Sequence, residues 1–141
     1  MEQQQKKSPV EIVQKLIAIH TTRKEASERM IKNDSSRDMQ DKLKSVAAQS
    51  DSFMKALLNE LSQFGDAVQS EVDREDEFHA IWSKSLANID TMNTSTLSET
   101  FNQSENSLKN IYSQIINENQ DLPVSLNDLL VSQSNELKQT L

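Results

Sequence analysis

A chain of 141 residues can bury one hydrophobic core but not two, so a single domain is expected. One glycine, two prolines and 4% aromatic residues exclude a sheet-rich fold, which needs β-branched and aromatic strands separated by glycine turns, and favour long helices. The net charge of −7, with adjacent basic residues only at Lys6-Lys7 and Arg23-Lys24, argues against a nucleic-acid partner, because nothing gathers enough positive charge to hold a phosphate backbone.

Residues 1–8 are expected to form a flexible N-terminus without signal-peptide character, since the run from Val10 to Ile19 is broken by Glu11, Gln14 and Lys15. The first helix is predicted over 9–32. Ser8-Pro9-Val10-Glu11 reads as a capping box with proline at the first helical position, and Val10, Val13, Ile17, His20, Ser27 and Ile31 follow at spacings of three and four. The cluster Asn33-Asp34-Ser35-Ser36 reads as a turn that also supplies the next N-cap. A second helix, 36–64, carries Leu43, Val46, Ser50, Phe53, Leu57, Leu61 and Phe64 on one face and stops at Gly65, where a left-handed residue would suit a helix end.

Residues 66–91 read as a long connection containing a short amphipathic helix with Phe78, Ile81, Trp82, Leu86 and Ile89 on its apolar side. The acidic stretch Glu71 to Glu77, with His79 after it, reads as a solvated charged face, and Trp82 as a cap on one end or side of the bundle. A third main helix is predicted over 95–119, with a second capping box at Thr96-Leu97-Ser98-Glu99 and the stripe Leu97, Phe101, Ser104, Leu108, Ile111, Ile115. Leu122-Pro123 opens the fourth, 123–141, striped by Leu126, Leu129, Leu130, Gln133, Leu137 and Leu141. Residues 9–141 are thus expected to form one all-α domain, an antiparallel four-helix bundle. A connection of this length can cross a helix of roughly 36 Å, which would set the second and third main helices parallel.

Each main stripe is broken once near its middle, at His20, Ser50, Ser104 and Gln133. Helices of similar length would bring these four to one level, either as a hydrogen-bonded layer fixing helix register, as the floor of a ligand pocket, or partly in water.

Two short-linked helical hairpins joined by a long crossover resemble the ferritin-like superfamily. More narrowly, the chain resembles a bacterial family of domains of unknown function related to the rubrerythrin-like proteins. The likeness runs from Val10 to the C-terminus and is carried by Asn59 to Gly65, His79-Ala80-Ile81-Trp82, Glu105, and Leu122-Pro123 with Leu126, Leu130 and Gln133. It implies the fold more than a function. Di-iron members of that superfamily use a Glu-x-x-His on each of two helices. Here Ile17 precedes His20 and Asp76 precedes His79 at that spacing, Gln133 is followed by Glu136, and Ser50 by Phe53. No metal ligand is therefore carried over.

The expectation is a protein without catalytic, cofactor-binding or metal-binding residues, acting through contacts with a protein partner. The alternatives are a diverged ferritin-like metal or oxidase protein and a small-molecule binder. The absence of cysteine removes disulfides and thiol chemistry and suits a cytoplasmic setting, and one glycine leaves no nucleophile elbow or phosphate-cradling loop. No window is long and apolar enough to span a membrane, and a homo-oligomer is compatible with the pattern.

Overall fold

The computed structural model describes residues 8–67, 75–119 and 121–140. The predicted flexible N-terminus, apart from Ser8, and the acidic residues 71–74 lie outside them. Among the described residues there is no strand; the chain is an all-α, multi-helix bundle. Its α-helices are α1 (Pro9–Ile31), α2 (Gln40–Leu61), α3 (Glu77–Ser85), α4 (Thr94–Glu118) and α5 (Val124–Thr140). Short 3₁₀ segments at Asp34–Met39, Ser62–Ala67 and Leu86–Thr91 adjoin them.

The start of α1 forms as its residues dictate. The Ser8 hydroxyl accepts from the Glu11 N–H at 3.1 Å, and the Glu11 carboxylate accepts from the Ser8 N–H at 2.9 Å. Two otherwise orphaned donors are satisfied reciprocally. The second helix differs from the sequence reading. Residues 34–39 wind as 3₁₀ turns, and Met39 sits at the N-cap of α2 without a side-chain cap bond. The Gln40 amide instead reaches back to the Ile31 carbonyl at 2.6 Å, which ties the end of α1 to the start of α2. At the far end α2 passes into 3₁₀ turns that run beyond Gly65, so the glycine lies inside that segment and not just past the α-helix. The cap of α4 is Asn93, whose side-chain oxygen accepts from the Thr96 N–H at 2.8 Å; the expected box at Thr96 is already inside the helix.

Helix α1 is buried on more than one side. Ile12, Leu16, Ile19 and Met30 are fully covered as well as Val10 and Val13, whereas Ile17 and Ile31 of the expected stripe are only half-buried. The reason is its central position: it packs along α2, touches α3 and the 3₁₀ segment after it, and bonds to α4. The Thr21–Met54 and Lys24–Asp51 contacts, at 3.2 and 3.1 Å, show α1 and α2 running antiparallel. Between α1 and α4 the contacts are His20–Tyr112 and Arg23–Glu105, so numbering falls along α4 as it rises along α1.

The short helix α3 is part of the core and not merely a cap on it. Phe78 and Trp82 are buried in the same hydrophobic cluster as residues of α1, α2, α4 and α5, and Ile89 joins them from the following turns. Asn33 locks this region to the end of α1 by donating to the Ile89 and Met92 carbonyls at 2.6 and 3.0 Å. No described helix is long and apolar enough to cross a membrane.

Candidate functional site

The interior of the bundle holds a connected set of polar side chains drawn from four helices. From α1, Arg23 donates through Nε and Nη2 to both oxygens of Glu105 on α4, at 2.9 and 2.6 Å, with each side chain 2% exposed. This is the side-by-side geometry that a planar guanidinium offers a carboxylate. The third nitrogen, Nη1, donates to Ser50 Oγ on α2 at 3.1 Å. Ser50 lies 3.0 Å from His20 Nδ1, and His20 Nε2 lies 2.8 Å from the Tyr112 hydroxyl on α4. Tyr112 donates to Gln133 Oε1 on α5 at 2.6 Å, and Gln133 Nε2 donates to the Phe53 carbonyl on α2 at 3.3 Å.

The two ends of this network, together with the neutral state that burial imposes on His20, fix the placement of the protons between them. A guanidinium only donates and a backbone carbonyl only accepts. Ser50 therefore accepts from Arg23, and because the buried His20 ring is neutral and spends its one proton at Nε2, Ser50 gives its own proton to Nδ1. Tyr112 spends its proton on Gln133 and so accepts from His20. His20 is thereby assigned as the neutral Nε2–H tautomer, an inference from the network. The result is a one-way relay from Arg23 through Ser50, His20, Tyr112 and Gln133 to the Phe53 carbonyl. Edge-on packing of Phe53 against the imidazole, with ring centroids 5.3 Å apart, closes the remaining side of His20.

Electrostatics agree with that assignment. Burial holds His20 well below the ordinary range of an imidazole, and the neighbouring positive charge of Arg23 adds to the effect. Burial pushes the Tyr112 hydroxyl up, only partly opposed by Arg23. Both groups are therefore neutral donors and acceptors at neutral pH. Each hydrogen-bonding side-chain atom of Arg23, Ser50, His20, Tyr112 and Gln133 has a partner within the set or on the backbone.

Of the four residues that break the apolar stripes, the structure brings His20, Ser50 and Gln133 together. Ser104 is buried too, but its hydroxyl donates to the Phe101 carbonyl of its own helix at 2.8 Å and stands apart from the relay. Arg23, Glu105 and Tyr112 are network members that stripe-reading did not single out, although each was placed to be found. Arg23 follows His20 by three positions, Glu105 lies four after Phe101, and Tyr112 lies four after Leu108.

The acidic connection also differs from its expectation at two positions. Asp76 and His79 are buried and paired, while Glu75 and Glu77 are exposed. Asp76 caps α3 by accepting from the His79 N–H at 2.8 Å, and its second oxygen lies 2.7 Å from His79 Nδ1. Burial pushes the Asp76 carboxyl up, but the side-chain and backbone hydrogen bonds from His79 outweigh it and hold it below the usual carboxylate value.

Among the described residues, no group of three or more His, Cys, Asp or Glu is placed to hold a metal ion. No protein-family model, curated protein or solved structure matches the chain.

Proposed function

We propose that this chain is a non-catalytic helical bundle on a ferritin-like crossover plan, and that it works by holding its outer helical faces in a fixed arrangement for a protein partner. The plan is supported by contact order. Helix α1 is antiparallel to α2 and α4, which makes α2 and α4 parallel, and Lys42 near the start of α2 lies 5.6 Å from the Phe101 ring near the start of α4. The Phe53–Gln133 and Glu60–Ser125 contacts set α5 against α2 in the opposite sense. The long connection through α3 is what parallel neighbours require.

The observation that carries the non-catalytic reading is the closure of the interior network. In a di-iron protein the inward-facing carboxylates and histidines leave open positions for metal and oxygen. In this chain the guanidinium of Arg23 supplies the cation that Glu105 faces, and both nitrogens of His20 are engaged. A catalytic acid or base must be free to exchange a proton with a substrate. His20 is fully buried, with one ring nitrogen against Ser50 and the other against Tyr112. What such a closed layer does supply is register: a helix sliding by one turn would break several buried hydrogen bonds at once.

The test is elemental analysis of protein purified without chelator, followed by an iron-oxidation assay. The expected outcome is no stoichiometric iron, manganese or zinc and no oxidation above background. About two metals per chain, lost on substituting His20 or Glu105, would overturn the reading in favour of a diverged metal centre.

A further inference from the structure

The outer face of α4 has a composition of its own. Between Glu99 and Glu118 six residues of this helix are exposed, and all six are carboxamides: Asn102, Gln103, Asn106, Asn110, Gln114 and Asn117. By helical spacing they share one broad face, opposite the side that buries Phe101, Ser104, Leu108 and Ile111. The face runs about 22 Å along the axis. Glu105, within the same span, is buried against Arg23, and Lys109 is half-buried at the edge. Other helices carry charge at exposed positions, as at Glu25 and Glu28 on α1, Lys44 and Lys55 on α2, and Asp128 and Glu136 on α5.

Solvation alone does not call for this selection, since lysine or glutamate would serve a wet helix face equally well and favour the helix more. Four of the six positions hold asparagine, which is among the weaker helix formers, in a helix of 25 residues. The chain carries a net charge of −7, so two copies repel wherever their charged faces meet. Across the amide face that repulsion is least, and Lys109 at its edge offsets the negative charge. A carboxamide both donates and accepts, so a row of them is complementary to itself when turned about a two-fold axis. We propose that two copies of the chain pair through this face, α4 against α4 in antiparallel sense, by amide–amide hydrogen bonds. Asn106 and Asn110 lie at the centre of the contact, and the Asn102 end of each helix meets the Glu118 end of the other, amide against carboxylate. Two helices crossing over this length bury little area, so the dimer is weak and reversible. The inference rests on the reading of the bundle as a scaffold for a protein partner and names that partner as a second copy.

Sedimentation equilibrium of the native chain from micromolar to millimolar concentration is expected to show a monomer–dimer equilibrium. Added sodium chloride should strengthen pairing severalfold, because it screens the charge that both copies carry and breaks no ion pair that the contact depends on. Asn106→Asp combined with Asn110→Asp sets like charges against each other at the centre and should weaken pairing by about tenfold or more, with the thermal unfolding midpoint near that of the native chain. Ser45→Asp with Ser52→Asp adds the same charge on the exposed side of α2 and should change pairing far less. If the asparagine variant does not fold, the concentration and salt series on the native chain still decides. A monomer throughout the range would overturn the proposal, while the metal and oxidation assays test the non-catalytic reading separately. Pairing that salt weakens, or that both double variants weaken equally, would overturn it by placing the contact elsewhere.

Discussion

His20 stays uncharged because it is buried beside the Arg23 guanidinium, and its two ring nitrogens are held by Ser50 and Tyr112, which are themselves committed to Arg23 and Gln133. Removing one member leaves its partners unpaired in a dry interior, and that is where the cost lies. Tyr112→Phe preserves the ring but orphans the His20 donor and the Gln133 acceptor. Equilibrium urea unfolding should show a loss of about 2 kcal/mol or more, from the usual cost of unsatisfied buried groups. Arg23→Met should be harsher, about 3–5 kcal/mol, because it strands the Glu105 charge. Pairing Arg23→Met with Glu105→Leu should recover a substantial part of that loss, and a double-mutant cycle with no coupling would show that the pair is not joined in solution. Much of this site was legible in the chain: a histidine, a serine and a glutamine interrupt apolar stripes and so announce burial. Arg23 and Tyr112 escaped because arginine ordinarily reads as surface and tyrosine as ordinary core, so neither breaks a hydropathy pattern visibly. Ser104 misled for the opposite reason, since a small hydroxyl satisfied by its own helix also looks like a break.

At the level of helices, starts were easier to read than joins. The Ser8–Glu11 box is a local device and forms where its residues lie, whereas the joins depend on partners distant in sequence. Gln40 closing onto the Ile31 carbonyl and Asn33 onto those of Ile89 and Met92 are tertiary contacts that no local motif announces. The same holds for Asp76, hidden in an acidic run until the fold makes it the cap of α3. Asn33→Ala should therefore loosen the segment 86–92 more than the main bundle. Hydrogen exchange should accelerate there and in α3 while α2 and α5 stay protected, and uniform acceleration would mean that Asn33 supports global stability instead. Helix direction has its own check. Spin labels at exposed Lys44 on α2, paired with Glu99 or Glu118 on α4, should give the shorter distance to Glu99, by up to about 28 Å for nineteen residues of helix. The opposite ordering would mean an up-down-up-down bundle.

For the whole molecule, the buried imidazole links stability to pH. In the unfolded chain His20 takes up a proton near its ordinary value of 6.5, while in the fold burial and Arg23 hold it well below that value. Between those two values the unfolded state binds one more proton, so this contribution is complete above about pH 6.5 and is lost as pH falls. Unfolding free energy should drop by about 1.4 kcal/mol per pH unit in that window. His20→Gln should flatten that part of the profile. Asp76 is held below its ordinary 3.8, so its contribution is present above that value and fails in a more acidic window. Protonating His20 inside the fold would set a second donor against Ser50, which already accepts from Arg23, and would place two positive charges side by side.

The protonation pattern of that imidazole can be read without perturbing the chain, by long-range ¹H–¹⁵N NMR of the His20 ring recorded from neutral pH down to acid unfolding. The closed relay requires a neutral ring with its proton on Nε2, unchanged through the range where ordinary histidines titrate, until the whole molecule unfolds. A proton on Nδ1, or a folded protein in which His20 titrates near 6.5, would contradict it.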